Sequence, residues 1–417
     1  MFENLFKRSD ALARHRNCPL GEERSRYLIY CANQGMSRST LLQIAEHLLI
    51  ITDALRLGER QDELITPTEI AAEAIRRANR RKPGSHSMRK HTGPDALVTH
   101  ATHWLKFIGR WQSPPVSPRP YADHVAAFAV HMRSERGLLS ELVRRYCQVA
   151  QEILDHICAS RRFEEVTFAQ VDDALVHKYK ESGCARVTIR GDVSALRVFF
   201  RFAQAQGWCH NDLAQGIRGP RVFSQESLPR GPSWVDVQRL LASVGDKTAT
   251  AIRDRAILLL LAVYGCRASE VVRLRLGDIE WEHELIHFTR SKSSRTQTFP
   301  LSRTVGDAIL RYLQDVRPRS DCREIFLRRN APIRPLASQS LWNIVGQRLH
   351  ALGVSLRHYG PHSLRHACAT HLLEQGFTLK QIGDQLGHRH PDSTRIYAKV
   401  NLGGLRQVAD FDIGDIL

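Results

Sequence analysis

Apolar residues recur along this chain at helical spacing far more often than they alternate. In SRSTLLQIAEHLLIITDALRL (37–57) they return every three or four positions, which predicts a helix with one buried face. In LLSELVRRYCQVAQEILDHI, Leu142, Tyr146, Val149, Ile153 and Ile157 fall at i, i+4, i+7, i+11 and i+15, the stripe of a second amphipathic helix. TIRGDVSALRVFFRFAQ adds Val193, Leu196 and Phe200 as a third stripe, with Arg190, Arg197 and Arg201 on a different side. AIRDRAILLLLAVYG reads as a buried helix that stops at Gly265, and ASEVVRLRL opens another at once, ending at Gly277. After Gly277 the period changes to two. Ile279, Trp281, Ile286 and Phe288 alternate, and RTQTFPL (295–301) follows, so three short strands joined by turns are predicted.

Punctuation divides the chain. The prolines of WQSPPVSPRP (111–120) mark one boundary and FSQESLPRGPS (223–233) reads as a linker. Residues 1–115 are then an N-terminal helical accessory region, interrupted by the basic stretch RRANRRKPGSHSMRKH at 76–91. Residues 116–222 form a compact four-helix unit, and 234–417 a third region whose first helix Ser233 and Asp236 cap. The expected fold is multidomain and mainly α, with a small antiparallel sheet in the third region.

Composition adds two things. The longest apolar run, AILLLLAVY at 256–264, is too short to span a bilayer, and the N-terminus has no apolar core of a signal peptide, so a cytoplasmic protein with no membrane partner is expected. Nine cysteines lie singly without a CxxC pair, which reads as reduced thiols. Sixty Lys and Arg against 43 Asp and Glu give +17, a balance that suits a polyanion, most often nucleic acid.

His283-Glu284-Leu285-Ile286-His287 matches the zinc-protease pattern HExxH. That chemistry needs a helix, where residues four apart share a face. Here the pattern alternates, and on a strand the two imidazoles would lie roughly 13 Å apart, beyond the reach of one zinc ion. No metal site is expected.

Four other segments stand in a telling order: Arg267-Ala268-Ser269-Glu270 at a helix junction, Lys292 in the turn SKSSR, His362-Ser363-Leu364-Arg365-His366, and Leu386-Gly387-His388 followed nine residues later by Tyr397. Together they resemble the tyrosine recombinase (phage integrase) family, strongly over about 234–400. The unit at 116–222 is similar to that family's helical core DNA-binding domain by pattern. The 234–417 region would be its catalytic domain.

The resemblance implies a site-specific DNA recombinase or integrase, of a mobile element, acting through a 3′-phosphotyrosine intermediate. Tyr397 is the implied nucleophile, with Arg267 and Arg365 on the phosphate oxygens and His362 and His388 hydrogen-bonding or relaying protons. Lys292 is the implied acid for the departing 5′-oxygen. Glu270 would hold Arg267, and His366 would do similar work near Arg365. Arg190, Arg197 and Arg201 become candidate DNA contacts. No cofactor is implied. The partners are double-stranded DNA, further copies of the chain in a tetrameric synaptic complex, and partner recombinases, with a nucleoid-associated location. The tail after Tyr397 is expected to dock on a neighbouring subunit. Two rivals are a type IB topoisomerase-like relaxing enzyme and a non-cleaving DNA-binding accessory protein.

Overall fold

The computed structural model describes residues 1–60, 62–79, 94–114, 119–157, 163–210, 212–221, 231–290, 295–388 and 390–400, the side chains of 399 and 400 apart. Lys292, most of the linker, much of the basic stretch and the tail from 401 onward lie outside them. The chain divides into two compact units, residues 113–226 and residues 1–112 with 227–417. No described helix is long and apolar enough to cross a membrane, and the described cysteines are free thiols.

Residues 113–226 fold around four long helices, Ala122–Ser134, Ser140–Ile157, Phe168–Ser182 and Arg186–Ala205. Aromatic rings fill their centre, with Phe128 edge-on to Phe199 at 5.3 Å. Val193, Leu196 and Phe200 are buried as their spacing predicts. The helix Ser140–Ile157 departs from expectation. Leu142 is exposed, and the inward face runs through Val143, Ala150 and Leu154 beside Val149, Ile153 and Ile157. The stripe was right from Val149 onward but rotated at its first turn, because Val143 reaches the core from there. Lys178 bridges Glu152 and the buried Asp192, each at 2.8 Å, and ties three helices together.

The other unit contains three apolar clusters. One lies among the N-terminal helices, where Leu28, Leu48, Ile51 and Trp104 are fully covered. The helix Arg38–Ala54 starts where Ser37 caps it, its hydroxyl accepting from the Thr40 N–H. The largest cluster surrounds Ala249–Val263, which is buried continuously from Ala256 to Ala262. The helices Arg303–Asp315, Ser338–Ala351 and Pro361–Glu374 pack around it. A small third cluster holds Ala369, Leu373, Ile382, Leu386 and Tyr397.

Ala249–Val263 ends at Gly265, whose φ of 58° is left-handed and strained for any other residue, and a Cβ there would come within 2.5 Å of the Leu386 side chain and force it to shift. The next helix is shorter than its sequence suggests, Ala268–Arg273 rather than to Gly277. The chain leaves the helix because Leu274 and Leu276 pair instead with 323–325: the Ile325 N–H donates to the Leu274 carbonyl and the Leu276 N–H to that of Arg323, both at 2.8 Å.

Three antiparallel strands follow in order, β1 Ile279–Glu280, β2 Leu285–Thr289 and β3 Thr296–Pro300, with Ile286 opposite Phe299. The HELIH stretch is therefore a turn and a strand, with Glu284 left-handed at φ 53°. The two histidines lie closer together than the strand spacing predicts. His283 sits in the turn rather than on a strand, so both imidazoles reach one carboxylate, that of Glu280, at 3.4 and 2.7 Å. His287 also bonds Thr298 across the strands at 2.9 Å.

Candidate active site

Pro361 opens the helix Pro361–Glu374 at a position where its missing N–H costs nothing, after Gly360 as the N-cap. His362, Arg365 and His366 project from the first turns of that helix. Leu364 and Ala367 anchor the helix in the large core, which fixes the direction in which the three polar side chains point. Arg365 is 1% exposed, and its guanidinium donates to the carbonyls of Gly265 at 2.7 Å and Leu386 at 2.6 Å. It thereby joins the C-terminal ends of two helices, where a cation is favoured. Burial first, then the neighbouring Arg267, lowers its pKa to about 10, which leaves it charged at neutral pH.

Glu270 organises the second cation. The Arg267 backbone N–H donates to its carboxylate at 2.9 Å and the Arg267 guanidinium at 2.8 Å. Arg290, just past the end of β2, donates at 2.8 Å to Oε2, the same oxygen that accepts from the Arg267 N–H. Burial works to raise the Glu270 pKa, but the Arg267 N–H and the two guanidiniums outweigh it and hold the group below the usual carboxylate range. Arg290 also bonds Gln297 on β3 and the Gln385 carbonyl at 2.8 Å. The sheet, the helix junction and the helix Leu379–Leu386 are thus locked by one buried side chain. Sequence reasoning missed Arg290; the only available signal was an arginine closing a strand otherwise set for burial.

His388 follows Gly387, whose φ of 64° turns the chain out of the helix. A Cβ on Gly387 would meet Arg290 at 2.5 Å, so glycine is required there on two grounds. The His388 Nδ1 lies 2.7 Å from the Thr394 hydroxyl. Burial, then the charges of Arg365 and Arg267, lower its pKa to about 4.

Tyr397 lies on the 3₁₀ turn Ile396–Val400 that continues Asp392–Arg395. It is 2% exposed, and its hydroxyl sits 2.9 Å from Nδ1 of His366. Burial pushes the phenol up to about 12, while Arg365 pulls it back. Within one subunit, Arg267, Glu270 and His388 lie close enough to Arg365 to interact with its charge, and Tyr397 lies beside Arg365 with its hydroxyl on His366. His362 is at the exposed rim, its ring edge-on to His366 at 4.5 Å. His366 differs from expectation: it is bonded to the phenol, not to Arg365. Lys292 lies outside the described residues.

On the other unit, Arg190 and Arg201 are exposed, while Arg197 donates from Nε and Nη2 to the Ile217 carbonyl at 3.0 and 2.7 Å. Arg190, Arg197 and Arg221 line an open cavity of about 470 Å³ against the 219–221 segment.

The phage integrase family model matches residues 235–402. An integrase/recombinase of Sinorhizobium fredii, y4rA, is 36% identical over 330 residues, covering 77% of this chain and 79% of its own length. That share exceeds what residues 116–417 contain, so the match extends into the N-terminal region. Tyrosine recombinase XerC of Alcanivorax borkumensis is 33% identical over 69% of this chain and 92% of its own. The fold is similar to that of a lambda integrase chain, solved as a dimer bound to a COC′ core site, which superposes with a TM-score of 0.54 at 16% identity over 71% of this chain and 99% of that one. With its motifs, its fold and relatives of this identity and coverage, the chain belongs to the phage integrase family of tyrosine recombinases, enzymes that cut and rejoin DNA strands.

Proposed function

We propose that Tyr397 is the nucleophile of this recombinase and that Arg267 and Arg365 receive the scissile phosphate of double-stranded DNA. The observation carrying the reading is the buried phenol held beside Arg365 and His366 within one subunit. A phosphodiester is anionic and repels nucleophiles, so guanidiniums that stay charged at neutral pH offset the charge that develops in transfer. Attack by the phenol leaves a 3′-phosphotyrosine and a free 5′-hydroxyl, and rejoining reverses it. Glu270 positions Arg267, while His362 and His388 bond the phosphate oxygens. Lys292 supplies the proton to the leaving oxygen.

The four-helix unit contributes Arg190, Arg197 and Arg201 to the duplex backbone, and several copies assemble on two duplexes as a tetramer. Relatives named integrase/recombinase support integration or excision of a mobile element as the biological task. Nicked suicide duplexes drawn from the DNA flanking the gene test this. An SDS-stable protein–DNA adduct is expected with the native chain and none with Tyr397→Phe. An adduct that persists in that variant would assign the attack to another residue.

A further inference from the structure

We propose that His366 is a catalytic residue, its Nδ1 taking the proton of the Tyr397 hydroxyl as that oxygen attacks phosphorus. The inference rests on Tyr397 being the nucleophile and assigns the step which that reading leaves open, the destination of the phenol's proton. Three observations carry it. The hydroxyl is 2.9 Å from Nδ1, within proton-transfer distance. The two rings are inclined at 58° with centroids 5.6 Å apart, so the contact is made by the polar edge rather than by stacking. The other two histidines of the site are placed for different work, His388 with Nδ1 on Thr394 and His362 at the exposed rim.

The helix gives this arrangement its precision. His366 follows Arg365 directly, so one rigid element sets both the phosphate-binding cation and the proton acceptor. Packing holds it from the other side as well: a Cβ on Gly231 would come within 2.7 Å of the Ala367 nitrogen and 3.1 Å of the His366 Cβ.

In the step itself, the phenol O–H bond breaks and an Nδ1–H bond forms, which requires the resting imidazole to carry its proton on Nε2. The Tyr397 oxygen bonds to phosphorus, the bond from phosphorus to the 5′-oxygen breaks, and that oxygen leaves with a proton from the site's acid. Rejoining runs the same transfers backward, with protonated His366 returning its proton to the departing phenolate.

The charged surroundings explain why this base is silent without substrate. His362 faces it edge-on, and Arg365 and His358 act on it through space; with burial as the larger cause they lower His366 to about 4. On the phenol side the facing groups are Arg365 and Cys368. The resting pair is therefore neutral phenol and neutral imidazole. An imidazolium beside Arg365 becomes tolerable only once an anionic phosphodiester enters, so proton transfer keeps step with bond formation.

The test uses the full chain and the nicked duplex on which it forms its covalent adduct, under single-turnover conditions from pH 5.5 to 9, with gel-shift binding in parallel. His366→Ala and His366→Gln should bind duplex as the native chain does yet form adduct slower by roughly 10²–10⁴-fold. In both, the logarithm of the rate should climb with pH where the native rate has levelled. Glutamine can accept the hydrogen bond but cannot carry the proton away, so it should not rescue. Native rates in either variant, recovery by glutamine, or a slowed rate with an unchanged pH profile would each overturn the assignment. In the same duplex Tyr397→Phe must give no adduct; one that formed there would bring down the nucleophile reading with it.

Discussion

His366 and His388 both titrate near pH 4, well under the ordinary histidine value of about 6.5, and burial is the first cause in each. The consequence for stability has a definite sign. Between those values the unfolded chain binds protons that the folded one refuses, so stability falls as pH drops from about 6.5 toward 4. Glu270, held below the carboxylate range, contributes in the same direction at lower pH: its stabilisation is present above its unfolded pKa and is lost as pH falls through the folded one. We expect the melting temperature to fall by on the order of 5 °C between pH 7 and pH 5, with a shallower fall in the double variant His366→Gln/His388→Gln. His100, near 4 in the N-terminal helices, retains its share in that variant. A melting curve indifferent to pH over this range would show that the imidazoles are solvated after all.

Elements were more legible than their faces and ends. Ser233, Gly265 and Pro361 could be placed correctly because caps and left-handed turns are decided by local chemistry. The candidate site residues, by contrast, were named on the resemblance to the recombinase family rather than on local chemistry. What stayed hidden depends on partners far along the chain. The helix at Ala268–Arg273 stops early because of a backbone pairing with 323–325, and Arg290 becomes a lock only when β2 meets the helix Leu379–Leu386. The contact between His366 and Tyr397 spans 31 positions and left no local trace. The rotated face of Ser140–Ile157 is a milder case, where two stripes overlap and only packing selects between them. Val143 is fully buried and Leu142 is 36% exposed. Urea unfolding should show Val143→Ala costing about 2 kcal/mol and Leu142→Ala less than about 0.5 kcal/mol. The reverse order would restore the face read from periodicity.

At the scale of the whole molecule, an excess of +17 can attract a polyanion in two ways. It can act as a diffuse field, in which no single arginine matters, or through discrete contacts that each displace condensed counterions from the duplex. The slope of log affinity against log salt separates them, because each phosphate neutralised contributes about −0.9. Arg190 and Arg201 are the residues to remove, being exposed on one side of Arg186–Ala205, whereas Arg197 is engaged with the Ile217 carbonyl and its loss would unsettle the fold. Arg190→Ala/Arg201→Ala subtracts only two positive charges, so a diffuse field would leave the slope almost unchanged. If the stripe contacts the backbone, fluorescence anisotropy on a plain duplex should give a slope flatter by about 2, with affinity lowered alike for unrelated sequences. A slope matching that of the native chain would remove these arginines from the DNA interface and leave the excess charge to act at long range.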